Sequence, residues 1–194
     1  RQPLTSKDIL NLSQSLKHCA TIYSSIVKNS RDNLFSQNNN SFILFNLLKL
    51  KQMLSLLIPF YDSSDTLKEK VLDLAVKYGA SVLFSFTQTN QIEKELETAL
   101  SKALKKYSDE DKYNEIKEHL NKRILENIKQ LKVLLPIRSF ASPAGNANQK
   151  ASLLLKFIEL YFNDNVIILA SPKKIELEHI MPRSADAQRY QFPS

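Results

Sequence analysis

Apolar side chains return every three to four positions along most of this chain, the spacing of one face of an α-helix. Ile9, Leu10, Leu12, Leu16, Cys19, Ile22, Tyr23 and Ile26 form the first such series. Thr5, with Asp8 three residues on, resembles a capping box, so a helix is expected to start at Thr5 or Ser6. Ser30 to Ser41 is mostly polar and reads as a loop. From Phe42 to Ile58 the chain is densely apolar, which marks the candidate for a buried central helix ending near Pro59, where proline removes a donor. Ser63-Ser64-Asp65 offers an N-cap for a helix from Leu67 to about Phe86, with Gly79 as a point of interruption or termination.

Asn90 opens another helix through Ile92, Leu96, Leu100 and Leu104. Ser108-Asp109-Glu110-Asp111 caps the next, which carries Tyr113, Ile116, Leu120, Ile124, Ile128 and Leu131. The lysines and glutamates interspersed from Lys102 to Lys132 suit a solvated helix face better than a DNA-binding stripe. Ser139 to Asn148, with Pro143 and Gly145, is the clearest loop, followed by a helix over Lys150 to Phe162. After Asn165 the period changes. Val166-Ile167-Ile168-Leu169 is a mostly β-branched run, Ser171-Pro172-Lys173 is turn-like, and Ile175, Leu177 and His179 alternate with Glu176, Glu178 and Ile180, which together signal a hairpin. The expected fold is therefore mainly α: a bundle of six to seven helices over residues 1–164, then a short C-terminal β-hairpin in residues 165–194.

Composition narrows the picture. The chain has 194 residues, enough to bury one sizeable core, and 43% of them are hydrophobic. Two glycines are too few for a fold of many tight turns, which argues against an all-β sandwich. Cys19 is the only cysteine, so an internal disulfide or a cysteine-rich zinc site is excluded, and a reducing, cytoplasmic setting is the natural reading. No run of about 18 apolar residues occurs, so no membrane span is expected. A formal charge of +7 and a pI near 9.4 suit an anionic partner such as DNA. The chain opens Arg1-Gln2-Pro3 and reads as an excised piece of something longer.

The motif that carries chemistry is Glu178-His179-Ile180-Met181-Pro182, at the end of the expected hairpin, where Pro182 stops pairing. Phosphodiester hydrolysis needs a base to activate water and a cation to neutralise the phosphate. His179 titrates near working pH and can be that base. A hard cation such as Mg²⁺ takes carboxylate oxygen, so Glu178 is the candidate ligand, with Glu176 as an alternative. Neighbouring residues on a regular strand face opposite ways, so both reach one site only where the strand ends or distorts. Lys173, Lys174 and Arg183 flank the motif as candidate phosphate contacts, or as ordinary surface charge. For His179 the bland alternative is a strand-end histidine bonded to a backbone carbonyl. His18 and His119 lack partners at metal-ligand spacing and read as structural or exposed. The phenylalanines Phe42, Phe45, Phe60, Phe84, Phe86 and Phe157 read as core.

Ile175 to Pro182 resembles the His-x-x-Pro signature of the C-terminal domain of GmrSD-type, modification-dependent restriction endonucleases, an HNH-like or His-Me finger nuclease. The helical stretches Leu72 to Tyr78, Thr89 to Ile92 and Ala151 to Glu159 are similar to the region that precedes the motif in such proteins. The resemblance implies DNA as substrate, His179 as general base, Glu178 on the metal side where the family often has aspartate, and an N-terminal nucleotide-binding module in the parent chain. The family pattern continues with an asparagine on a following helix in a ββα-metal unit. Asp186, Gln188 and Arg189 do not reproduce that spacing, so the site is expected to be incomplete and the chain by itself not to cleave DNA. The rival expectation is a non-enzymatic helical domain that binds DNA or a partner protein, with a merely structural hairpin.

Overall fold

The computed structural model describes residues 5–27, 40–85, 90–134 and 153–158, and every helix below belongs to that set. The chain divides into two compact units, Arg1–Arg138 and Ser139–Ser194. The first contains six α-helices: α1 (Ser6–Val27), α2 (Asn40–Leu48), α3 (Leu54–Leu57), α4 (Asp65–Phe84), α5 (Asn90–Ala103) and α6 (Asp109–Leu134). In the second, residues 153–158 are helical, inside the expected Lys150 to Phe162 helix, with Leu153, Leu154 and Phe157 half-buried. Among the described residues there are no strands; the expected hairpin and the 164/165 boundary lie outside them. No described helix is long and apolar enough to cross a membrane.

Local signals fix the helix starts. Asp8 accepts hydrogen bonds from the Thr5 amide (2.9 Å) and hydroxyl (2.6 Å), while the Asp8 amide donates to Thr5 Oγ1 (3.2 Å), a reciprocal capping box at the start of α1. Ser108 and Asp111 cap α6 in a similar way, the hydroxyl donating at 2.6 Å and the Asp111 amide returning at 3.1 Å. Ser64 stands at the N-cap of α4 in extended conformation without a side-chain cap bond. The adjacent Ser63 hydroxyl instead donates to Asp109 Oδ2 (2.6 Å), tying the entrance of α4 to the first turn of α6.

The expected central helix from Phe42 to Pro59 is not one helix. It breaks after α2 at Lys49, whose φ is 54°, and continues as a 3₁₀ turn (Lys51–Met53), the single turn α3, and a second 3₁₀ turn (Ile58–Phe60). A straight helix would point this many apolar residues in every direction. The break turns the chain so that Phe42, Phe45 and Leu48 and then Met53, Leu56, Leu57 and Phe60 all reach the core. Full burial of each such side chain is worth about 1.5–3 kcal/mol, which outweighs a left-handed residue at about 1–2 kcal/mol.

The central helix is α4. Leu67, Val71, Leu72, Leu74, Ala75, Val76, Tyr78 and Val82 are buried on more than one side of it, because α2, α3 and α6 all pack against it. Gly79 neither interrupts nor ends α4. A Cβ there would stand 2.8 Å from Leu48 Cδ1 and 3.3 Å from Leu50 Cδ1, so the glycine lets α2 approach closely. Helix α5 closes the other side against α6 through Ile92, Leu96, Ala99 and Ala103, and ends before the exposed Leu104. On α6 the buried stripe runs Tyr113, Ile116 and Leu120, then passes to Asn127 rather than Ile128. Asn127 Nδ2 donates to Ser81 Oγ (3.0 Å), which in turn donates to the Tyr78 carbonyl (2.7 Å). The lysine- and glutamate-rich face of α6 carries exposed pairs such as Lys122–Glu118 (3.2 Å), as expected of a solvated face.

Candidate functional site

Glu178, His179, Lys173, Lys174 and Arg183 lie outside the described residues. Among the described residues no group of three histidine, cysteine or acidic side chains is placed to hold a metal ion. Two other features of unit Arg1–Arg138 stand out as places where chemistry or binding could occur.

The first is a polar cluster between α5 and α6. Glu95 on α5 and His119 on α6 meet at 2.9 Å, and Glu95 also accepts from Arg123 at 2.9 Å. Arg123 reaches on to Glu126 at 2.8 Å. Burial raises the Glu95 pKa, but the hydrogen bonds to His119 and Arg123 and the guanidinium charge together outweigh it and hold the carboxyl below the usual range. Behind the cluster, Tyr78 on α4 is only 2% exposed. Burial, then the Glu95 charge, push its phenol pKa up to about 12, against the opposing pull of Arg123. His119, expected to be structural or exposed, is structural: its partner Glu95 is 24 residues away on another helix. His18 stays exposed, 3.8 Å from Asp62. With both Glu95 oxygens engaged, one by His119 and the other by Arg123, the cluster serves to lock α5 onto α6 rather than to offer a free base.

The second feature is the surface of α1. Only Ile22 and Ile26 of that helix are buried, and α1 meets the body at the Ile58–Phe60 turn. Ile9, Leu10, Leu12 and Leu16 are 54–62% exposed, Tyr23 is 42% exposed, and Cys19 is exposed. Two open hollows flank Tyr23. One, of about 470 Å³, is lined by Tyr23, Lys51, Leu54, Ile58, Glu93 and Glu97 among others; the other, of about 340 Å³, by Tyr23, Ile26, Val27, Phe45, Lys49 and Lys51 among others. Periodicity located the apolar residues of α1, but it cannot tell a face that meets the chain's own core from one that does not. The signal available was finer: Ile9, Leu12, Leu16, Cys19, Tyr23 and Ile26 follow one another at intervals of three, four, three, four and three.

In comparisons with known proteins, no family model, curated protein or solved structure matches this chain.

Proposed function

We propose that this chain is the helical scaffold that leads into the active site of a metal-dependent DNA endonuclease of a restriction or defence system. The observation that carries the reading is the string Glu178-His179-Ile180-Met181-Pro182, its residue types suited to base and metal-ligand roles, within a chain of net charge +7. In this reading His179 is the general base, and the Glu178 oxygens suit a hard divalent cation such as Mg²⁺, which would neutralise phosphate charge. Lys173, Lys174 and Arg183 position the DNA backbone, and a nucleotide-binding module lies N-terminal in the parent protein. Asp186, Gln188 and Arg189 do not reproduce the spacing of the second half of the site, so cleavage in this reading requires a ββα segment that supplies it.

The test is plasmid nicking with Mg²⁺ or Mn²⁺. The chain by itself should leave the plasmid intact, whereas a protein that continues it with a ββα segment should cleave. His179→Ala should lower that cleavage by about 10²–10⁴-fold, the usual contribution of a general base. Undiminished cleavage by the alanine variant would remove His179 from the mechanism.

A second reading, a non-enzymatic helical domain that binds another macromolecule, is favoured by the exposed apolar face of α1.

A further inference from the structure

We infer that the exposed face of α1 is a self-association site, on which a second copy of this chain lays its own α1 in the antiparallel sense. The inference deepens the binding-domain reading and is independent of the nuclease reading.

The spacing of the face names the kind of partner. A repeat of alternating three and four residues, averaging 3.5, keeps one seam turned toward a helix running alongside; Ile9, Leu12, Leu16, Cys19 and Tyr23 hold it on the exposed surface, and Ile26, the next in register, is buried against the chain's own body. Charge then favours a like helix. The positions bordering the seam carry one charge, Asp8, whereas Lys7, Lys17 and His18 lie outside them. Two copies can therefore close on each other without bringing cations together.

The placement of the body sets the direction. It sits at the C-terminal end of α1, against Ile22 and Ile26, so a parallel pair would crowd two bodies at one end, and an antiparallel pair puts them at opposite ends. Seam matched to seam in that sense sets Ile9 opposite Ile26, Leu12 opposite Tyr23 and Leu16 opposite Cys19. Ile9 of the second copy then arrives at the 340 Å³ hollow beside Ile26, Val27 and Phe45. Its Asp8 arrives at the rim that carries Lys49 and Lys51, so the single acidic group bordering the seam meets two lysines. Area points the same way. The seam from Ile9 to Tyr23 is only about 21 Å long at 1.5 Å per residue. Stable interfaces cover roughly 800 Å² on each partner, more than so short a helix pair supplies alone, and seating each helix start in the other body's hollow adds to it.

Sedimentation equilibrium of the full chain should give twice the 22.3 kDa chain mass at micromolar concentration. Leu16→Asp should weaken association at least a hundredfold. Leu16 is 62% exposed, so the monomer should keep its far-ultraviolet circular dichroism and its melting temperature at low concentration. For the direction, Leu16→Cys under mild oxidation should yield a covalent dimer in which a tryptic peptide ending at Lys17 is joined to one beginning at His18, through Cys19. A monomeric wild-type chain at 100 µM overturns the proposal, as does a wild-type dimer that Leu16→Asp leaves intact. A dimer readily locked by a Cys19–Cys19 disulfide in the wild type overturns the antiparallel arrangement. None of these outcomes depends on DNA cleavage, so they stand or fall apart from the nuclease reading.

Discussion

Gly79 and Leu48 touch where α4 and α2 cross: a Cβ on Gly79 would lie 2.8 Å from Leu48 Cδ1. Alanine is the better helix former by about 1 kcal/mol, so on propensity alone Gly79→Ala would stabilise. Leu48 is 4% exposed, however, and overpacking a filled core costs about 1–3 kcal/mol. The expected outcome is a net loss of about 1 kcal/mol, read as a fall in Tm of about 2–4 °C for a chain of this size. Combining it with Leu48→Ala, which alone should cost about 2–4 kcal/mol, should lose less than the sum of the two, because the shortened side chain makes room. A fully additive pair would show that the contact does not limit α2–α4 packing.

Glu95→Gln tests the α5–α6 cluster. The Glu95 pKa is held below the usual glutamate value, so the unfolded chain takes up the proton first on acidification. Its contribution to stability is present above the unfolded value of about 4.5 and is lost as pH falls through the lower folded value. Urea denaturation near pH 7 should show Glu95→Gln destabilised by about 1–3 kcal/mol. The gap between wild type and variant should narrow as pH falls below the unfolded value of about 4.5. A gap that stays constant with pH would mean that the carboxylate charge is not what joins the helices.

Much of the helical layout is legible from short-range features. The Thr5–Asp8 and Ser108–Asp111 boxes fix where α1 and α6 begin because capping is settled within one turn. The start of α5 at Asn90 follows from the onset of a periodic run through Ile92 and Leu96. The break at Lys49 has no such signal: neither glycine nor proline stands there, and the turn is imposed by the need to bury residues on both sides of it. Glu95 and His119 are likewise invisible to periodicity, since helix packing alone brings together positions 24 apart. The candidate site is legible only as a string. Glu178, His179 and Pro182 are neighbours in sequence, whereas the other half of the proposed site would be assembled only by folding.

Tyr78 predicts the alkaline limit of stability. Its phenol pKa is raised to about 12 in the folded chain, against an ordinary 10.0, with burial the largest cause and Glu95 the next. The folded state therefore keeps a proton that the unfolded state gives up. Stability should be level below pH 10 and fall as pH rises from there through the folded value, by about 2–3 kcal/mol in all from this group. Burial raises the Tyr113 phenol as well, so absorbance at 295 nm should show more than one tyrosine titrating late, and Tyr78→Phe should remove the part of that late step that belongs to Tyr78. Glu95→Gln should move that part to lower pH, since the Glu95 charge helps to hold the phenol neutral.

Lys49 offers a gain rather than a loss. Its φ of 54° lies in the left-handed region, where a Cβ crowds the following carbonyl at a cost of about 1–2 kcal/mol, and it stands just after the last residue of α2, the position glycine usually takes. Lys49 is exposed, and its amide closes the last turn by donating to the Asn46 carbonyl (3.2 Å), a bond that glycine preserves. Glycine removes the crowding but gives the unfolded chain more freedom, so Lys49→Gly should gain about 0.5–1 kcal/mol, or a few degrees in Tm. Lys49→Ala removes the same charge but keeps the Cβ, and at a concentration low enough to keep the chain monomeric should leave Tm nearly unchanged. Equal stabilisation by glycine and alanine would place the effect in the charge of Lys49 instead of its backbone.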